Sequence, residues 1–388
     1  MFSRSITLSV IILILFTSLQ ISAQTQTNGS QANSVVSAVP FLLITPDARS
    51  GSMGDAGVAV EGDANSSSIN VSKLAFLKND YGFGISYSPW LKNLVPDINL
   101  AYLSGYYKLS SRNTIAASMR YFSLGSINLI DEKQQDLGSF SPSELALDVS
   151  FVRSFGENFA LGTTLRYIYS NLGSNQFAGN QQSAAGSAVA ADISGIYKRK
   201  TQIFNTDAIL SVGTNISNIG TKMSYSSSGL NYSLPTNFKI GGASTFFIDN
   251  LSEFTFALDF NKLLVPTQPI YDANGNITSG KDPNRSVPAS IFGSFSDAPG
   301  GVSEELKEVG IGTGVEYRYN KQFALRAGYH YENPNKGDAR YFTLGAGLKY
   351  NVVNIDLSYL LANSQNSPLA NTLRFSLLFN FGSSKGTL

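Results

Sequence analysis

From Asp80 onward, apolar and polar residues alternate with a period of two. In "EFTFALDFN", Phe254, Phe256, Leu258 and Phe260 fall on one side, with Thr255, Ala257, Asp259 and Asn261 on the other. "FTLGAGLKY" sets Phe342, Leu344, Ala346, Leu348 and Tyr350 against Thr343, Gly345, Gly347 and Lys349. "TLRFSLLFNF" sets Leu373, Phe375, Leu377, Phe379 and Phe381 against Arg374, Ser376, Leu378 and Asn380. Side chains flip direction at every residue of a strand, so this spacing predicts strands with one apolar and one polar face. About fourteen such segments can be laid out, over 80–90, 98–109, 113–124, 143–155, 158–173, 185–199, 205–217, 236–249, 253–264, 307–320, 323–333, 340–350, 352–363 and 370–381. Each is close to the ~9–11 residues that a tilted strand needs to cross a bilayer. The even count matches a bacterial single-chain barrel. The expected fold is all-β: a transmembrane antiparallel β-barrel of about 14 strands.

The connections alternate in length. "SSR", "GEN", "NLS", "KQ" and the turn at Asn351 are short, with "KRKTQIFN" the longest of that set. Between them lie long connections over 125–142, 174–184, 218–235 and 265–306. Outer-membrane barrels show this asymmetry, with short periplasmic turns and longer extracellular loops. Tyr and Phe gather near predicted strand ends, as at Tyr106, Tyr107, Tyr121, Phe122, Tyr167, Tyr169, Tyr317 and Tyr319. A ring that carries a hydroxyl suits the headgroup boundary.

Composition agrees with that pattern. Charged residues are 14% of the 388-residue chain, against ~25% for ordinary globular proteins, while aromatics reach 12% and glycines number 35. Mean hydropathy is nonetheless close to zero, as alternating apolar and polar faces require. The formal charge of +1 leaves no basic stripe for nucleic acid. The absence of Cys excludes a disulfide framework, a thiol nucleophile and a Cys metal site.

The chain starts with Arg4, an apolar run "ITLSVIILILF" and "TSLQISA", which together read as a secretory signal cleaved after Ala23. The run is too short for the ~20 residues of a spanning helix. The expected organisation is a signal peptide over 1–23, an N-terminal periplasmic or hatch segment over 24–79, the barrel over 80–382 and a C-terminal tail over 383–388. A barrel of this size is too wide for its own side chains to fill. Its expected inward faces carry Arg120, Asp148, Arg166, Asp192, Asp259, Glu316, Arg326, Asp356 and Arg374, which must be wet or paired. The segment before the first strand is rich in small and polar residues. It offers Asp47, Arg49, Asp55, Glu61 and Asp63 as partners and is expected to fold back into the lumen as a hatch. Inward glycines Gly310, Gly312 and Gly314 would admit close approach of backbone or ligand.

"PFLLITPDARSGSMGDAGVAVEGDANSSSINVSKLAFL" resembles the N-terminal region of the PorV family, FadL-like outer-membrane barrels of the type IX secretion system found in Bacteroidota. The matching steps are Pro46–Arg49, Met53–Gly57, Asn70 and the pair Leu74–Ala75, so Asp47, Arg49, Met53, Gly54, Asp55 and Asn70 are the expected hatch residues. "SPWLKNLVPDINLAYLSGYYKL" is similar to the family's first extracellular loop and second strand. The wider FadL group has Asn-Pro-Ala in its hatch where this chain has Asn70-Val71-Ser72. The resemblance implies an outer-membrane protein that is not an enzyme and needs no cofactor. It implies binding of cargo proteins with a C-terminal signal domain as they leave a giant translocon barrel, and delivery to a sortase-like attachment complex. The alternative is a FadL-like channel for hydrophobic small molecules.

Other chemistry is sparse. His330 is the single imidazole and lacks an orienting constellation, which leaves it as a polar wall residue. "DANGNITSGKD" has Asp272, Asn274 and Asn276 at calcium-loop spacing, but Ile277 and Pro283 replace the Gly and Glu such a loop requires, so no metal site is expected. Trp90, the sole Trp, falls with Leu91, Leu94 and Val95 in an expected exposed loop. It reads either as an interfacial anchor or as a contact surface for cargo or translocon.

Overall fold

The computed structural model describes residues 35–91, 97–130, 135–173, 184–225, 231–363, 369 and 371–382. Leader residues 1–23, tail residues 383–388, and Leu94 and Val95 lie outside them. Fourteen strands close into one antiparallel barrel. They are β1 (Tyr81–Pro89), β2 (Ile98–Lys108), β3 (Asn113–Leu124), β6 (Ser143–Ser154), β7 (Phe159–Asn171), β8 (Gly186–Ile203), β9 (Thr206–Gly220), β10 (Asn237–Phe247), β11 (Ser252–Leu263), β14 (Val309–Tyr319), β15 (Phe323–Tyr331), β16 (Arg340–Tyr350), β17 (Val353–Ala362) and β18 (Thr372–Phe381). β1 closes on β18, Tyr81 pairing with Phe381 and Tyr87 with Phe375. Two hairpins decorate the long loops: β4 (Ile127–Ile130) with β5 (Asp136–Phe140), and β12 (Ile270–Tyr271) with β13 (Ile277–Ser279).

The period of two becomes an inside and an outside. Along β7 every second residue is buried, from Ala160 to Ser170, and every other one is exposed. Leu165 is 69% exposed and Val149 67%, on a face that meets lipid in an outer-membrane barrel. The buried inward positions are mostly small hydroxyls, among them Ser86, Ser104, Ser118, Ser150, Thr164, Ser194, Thr343, Ser358 and Ser376. Small inward residues widen the lumen and leave room for a second layer of chain.

"KRKTQIFN" is not a loop. β8 and β9 continue through it to a two-residue turn, with Ile203 paired to Thr206. Phe204 and Asn205 both take positive φ, 51° and 60°, the geometry that suits tight hairpins. β7 stops pairing at Phe159–Tyr197, with one further bond from Lys198 N–H to Asn158 O at 2.8 Å, so Arg199–Ile203 pairs on one side only, with β9. The charges there mark where the hairpin leaves the bilayer, not where the strand ends.

The "DANGNITSGKD" segment is the β12–β13 hairpin. The Asp272 carboxylate accepts from the Asn274 and Asn276 backbone N–H groups at 2.9 and 2.8 Å, closing a turn.

Candidate functional site

Residues 38–77 lie against the inner wall and build the hatch. Its regular elements are short: a 3-10 turn at Pro40–Leu43, a helix at Ala48–Gly51, and 3-10 turns at Ala64–Ser68 and Val71–Phe76. The last three of these four start on an Asx cap. Asp47 accepts from Ser50 N–H, Asp63 from Asn65 N–H, and Asn70 from Ser72 N–H. Such caps satisfy backbone donors that a single turn leaves unpaired. They explain how a Gly/Ser/Asn-rich stretch holds one conformation.

The wall completes the hatch's hydrogen bonds. Ala48 N–H donates to Ser376 Oγ and Gly54 N–H to Thr343 Oγ1, both at 2.9 Å. Gly57 and Val58 N–H donate to the Asp259 carboxylate at 2.7 and 2.9 Å. Asn65 donates to Ser86 and accepts from Ser104. Asn70 donates through Nδ2 to Val58 O at 2.8 Å and to Gly195 O at 3.1 Å. The hatch thereby touches β18, β16, β11, β1, β2 and β8.

A glycine seam sets the closest approach. A Cβ on Gly328 would lie 2.1 Å from Gly54 N, and one on Gly314 2.5 Å from Met53 O. One on Gly312 would lie 2.6 Å from Gly54 O, and one on Gly345 2.3 Å from Ser52 Cβ. Gly54 has φ +65°, and its own Cβ would meet Tyr329 O and Thr313 O at 2.5 and 2.6 Å. Gly312 and Gly314 thus admit the hatch backbone as the sequence pattern anticipates, whereas Gly310 faces the Asn261 side chain. Met53 is fully buried beside this seam.

The charges pair. Glu316 accepts from Arg49 Nη2 at 3.0 Å and from Arg326 Nε at 2.6 Å. Arg326 also reaches Asp356 at 2.6 Å, and Arg49 reaches Asp63 at 3.3 Å and Glu61 O at 2.9 Å. The chain Asp63–Arg49–Glu316–Arg326–Asp356 therefore fastens hatch to wall through buried bonds. Arg318, two residues after Glu316 on the same face, adds Glu61 at 2.8 Å and Glu253 at 2.5 Å. Its place in the alternation was the signal for it. Higher in the lumen, Arg166 bridges Asp148 at 2.7 Å and Asp192 at 3.1 Å. A register shift between β8 and β9 leaves Asn218 at φ 60°, and its N–H donates to Asp192 at 2.7 Å. Bulges re-aim side chains in this way.

Among the described residues, the lumenal arginines Arg120 and Arg374 meet no carboxylate within ion-pair distance. Arg120 donates to Leu42 O at 2.6 Å and lies over the Tyr102 ring at 5.6 Å. Arg374 donates to Gly51 O at 3.4 Å and lies over the Trp90 ring at 5.6 Å. Within the hatch segment, burial and then the charge of Asp63 push the Asp47 carboxyl up to about 6. Burial lowers Lys73, whose ammonium donates to Gly57 O at 2.7 Å. Asp55 accepts from the Tyr341 hydroxyl. His330 stacks on Tyr341 with centroids 4.9 Å apart and meets Gly54 O through Nδ1 at 3.3 Å, so its role on the wall is to border the hatch.

Trp90 departs from the expected exposed position. It is 9% exposed and packs in an apolar cluster with Phe41, Leu42, Leu100, Phe122, Ile168 and Leu234, with Leu91 partly buried against it. Phe41 stacks on Phe122 at 6.1 Å. Trp90 follows β1 directly, and its N–H donates to Ile98 O at 2.9 Å, pinning the base of the connection between β1 and β2. The indole turns inward because Arg374 and this apolar pocket lie beneath it.

Comparison with known proteins matches residues 26–270 to a family model described as "Type IX secretion system protein PorV". No curated protein matches the chain significantly. Among solved structures, the Pseudomonas putida toluene transporter TodX superposes with a TM-score of 0.51 at 10% identity, over 87% of this chain and 99% of that one. A TodX deltaS2S3 mutant, described as a monoaromatic hydrocarbon channel, gives 0.51 at 13% identity over 86% and 99%. A Pseudomonas aeruginosa FadL homologue gives 0.43 at 9% identity over 87% and 99%. At such identities the first two speak for the fold alone, a closed β-barrel like that of TodX. A family match across more than half of the chain, on a closed barrel whose N-terminal segment fills its lumen, places this protein in the PorV family of the type IX secretion system.

Proposed function

We propose that this outer-membrane component binds secreted cargo through its C-terminal signal domain as it leaves the translocon barrel, and passes it to a surface attachment complex with sortase-like activity. The protein has a carrier role in this reading and performs no catalysis. Family membership supplies the system, and the filling of the lumen supports the role. Phe41 and Leu42 occupy the apolar upper lumen and Met53 the seam below, so side chains of the protein itself stand where a transported solute would pass. A barrel filled in this way acts through its outer surfaces.

The contact surface we propose is the first extracellular loop, between β1 and β2, containing Leu91, Leu94 and Val95, with Trp90 as the anchor that fixes its base to the wall. The hatch residues Asp47, Arg49, Met53, Gly54, Asp55 and Asn70 and the lumen charges Arg120, Arg166, Asp259, Arg326 and Arg374 keep the barrel closed. Replacing Leu91, Leu94 and Val95 by Ser should leave barrel insertion intact and reduce cargo recovered on native pull-down. Equal recovery would remove the loop from the proposal. The same pull-down tests the role itself, which requires co-purification of a translocon barrel or signal-domain cargo. A lumenal hydrophobic solute with neither protein would favour the channel reading, which the fold likeness to TodX also accommodates.

A further inference from the structure

One apolar feature belongs neither to the lumen nor to the first loop. Part of the long connection between β11 and β14 packs beside outward-facing residues of the wall. Its helix Val302–Lys307 leans on the outer wall. Lys262 shares the outward register of Phe256 and Phe260 but is 6% exposed, because this helix covers it. The Lys262 ammonium donates to Glu305 at 2.8 Å and to Glu308 at 2.6 Å. Lys336, from the neighbouring loop, donates to Glu304 and Glu308 at 2.5 and 2.9 Å, and Thr267 donates to Glu308 at 2.7 Å. The other Glu305 oxygen accepts from Asp297 and Ala298 N–H. The clasp is thus fixed to the wall by charges that satisfy one another.

Beneath this clasp a groove of about 320 Å³ runs between helix and barrel, lined by Phe238, Ile240, Phe260, Phe295, Val302 and Leu306. The wall side is continuous with the lipid-facing belt, Ile240 being 40% and Phe260 39% exposed. Ile240 is the fourth residue of β10, and Phe260 is the fourth from the end of β11. At ~3.3 Å per residue and ~45° tilt, both lie roughly 7 Å below the strand ends, at the top of the hydrocarbon layer. Val302, Leu306 and Phe295 remain 77%, 69% and 53% exposed on the clasp side. Such exposure on an ordered helix calls for an apolar occupant, and at this depth the surrounding medium is acyl chain.

We propose that the groove holds one acyl chain of an outer-leaflet lipid, clamped between the clasp helix and the outer wall of β10 and β11. Because the nearby Lys262 and Lys336 are held by Glu304, Glu305 and Glu308, the site selects a chain and not a headgroup. The volume lies at the lower end for ligand sites, which fits one chain better than a whole lipid.

The test uses the full chain in nanodiscs of phosphatidylcholine with brominated acyl chains. After transfer to non-ionic detergent and washing, bromolipid retained per chain is counted by mass spectrometry. The expected result is about one lipid per wild-type chain and at least a tenfold loss in Val302→Glu/Leu306→Glu. Heat-modifiable migration verifies that both barrels are closed, and the milder Leu306→Ser should give an intermediate loss. Equal retention in the charged variant, or none in the wild type, overturns the proposal. So does a Leu306→Cys chain, whose thiol would be unique, becoming protected from labelling only when a partner protein co-purifies, because the groove would then be a protein dock.

Discussion

The barrel wall is gripped from both sides by buried ion clusters, and the two grips differ in what backs them. Inside, Asp63–Arg49–Glu316–Arg326–Asp356 is joined by a glycine seam where two backbones meet without side chains between them. Outside, Lys262–Glu308–Lys336 holds one short helix whose apolar side faces an open groove. Charge pairing alone is a weak source of stability, because desolvation offsets most of the attraction. The inner cluster acts in concert with steric complementarity that admits one position of the hatch. The outer cluster fixes a lid while leaving space beneath it. The same chemistry therefore makes a plug on one face and a clasp on the other.

The steric part of the inner grip should give the largest effect when broken. Gly54→Val places a β-branched residue at φ +65°, and its Cβ at 2.5 Å from the Tyr329 carbonyl has only backbone to push against. The left-handed conformation alone costs roughly 1–2 kcal/mol, and strand backbone cannot yield. The hatch should leave its seat, which planar-bilayer recordings would detect as stable ion conductance; a closed barrel would show that the seam is not what positions the plug. Glu316→Gln comes next. It leaves Arg49 and Arg326 buried without their shared carboxylate, a loss of about 3–5 kcal/mol when one member of such a pair is removed. The unfolding midpoint in urea should fall and transient openings should appear, whereas Glu316→Asp should retain part of both.

Much of this grip was legible before the structure. Alternation fixes which residues point inward, so Glu316, Arg326, Asp356 and Asp259 could be assigned to the lumen. The run of small and polar residues before the first strand marks the hatch. What alternation cannot carry is partner choice across the lumen: Arg49 and Glu316 are 267 residues apart in sequence. Nor does it show that a seam needs glycine on both sides, as at Gly54 and Gly328. Trp90, read into an exposed loop, and Lys262, which the sequence pattern did not single out, share one feature. Each breaks the expected polarity of its position, Trp90 as an apolar group read into a loop and Lys262 as a charge on a lipid-facing register. In both cases a segment distant in sequence covers the residue, Phe41 and Arg374 for the former and Glu305 for the latter. The β8–β9 extension misled differently, because charge density reports where water begins and not where strand pairing ends.

The outer grip should break locally. Lys262→Met keeps an apolar stem on the lipid-facing register but leaves Glu305 and Glu308 with one donor fewer each. Glu308 retains Lys336 and Thr267, and Glu305 retains two backbone donors, so the loss is that of a charged hydrogen bond, about 1–3 kcal/mol. Limited proteolysis between Leu264 and Glu308 should accelerate about tenfold with the barrel's urea midpoint unchanged. A shift of that midpoint would mean that the clasp is part of the barrel's stability.

Titration gives the smallest and most selective perturbation of the comparison. Burial would raise the Glu308 carboxyl, but its bonds from Lys262, Lys336 and Thr267 outweigh burial and hold it below the ordinary range. Burial would lower Lys336, yet Glu304 and Glu308 outweigh it and hold the ammonium above its ordinary value. A depressed carboxylate stabilises the closed clasp above its free pKa of about 4.3 and loses that contribution as pH falls through the lower, bound value. A raised ammonium stabilises it below about 10.4 and loses that contribution as pH rises through the higher, bound value. The clasp should therefore be pH-indifferent from about 5 to 9 and open in acid, below about pH 4. Hydrogen exchange of the Val302–Lys307 amides should report this, with exchange corrected for its intrinsic pH dependence. If their protection persisted to pH 2, the carboxylate cluster would not be what holds the helix to the wall, and the apolar groove contacts would have to do so alone.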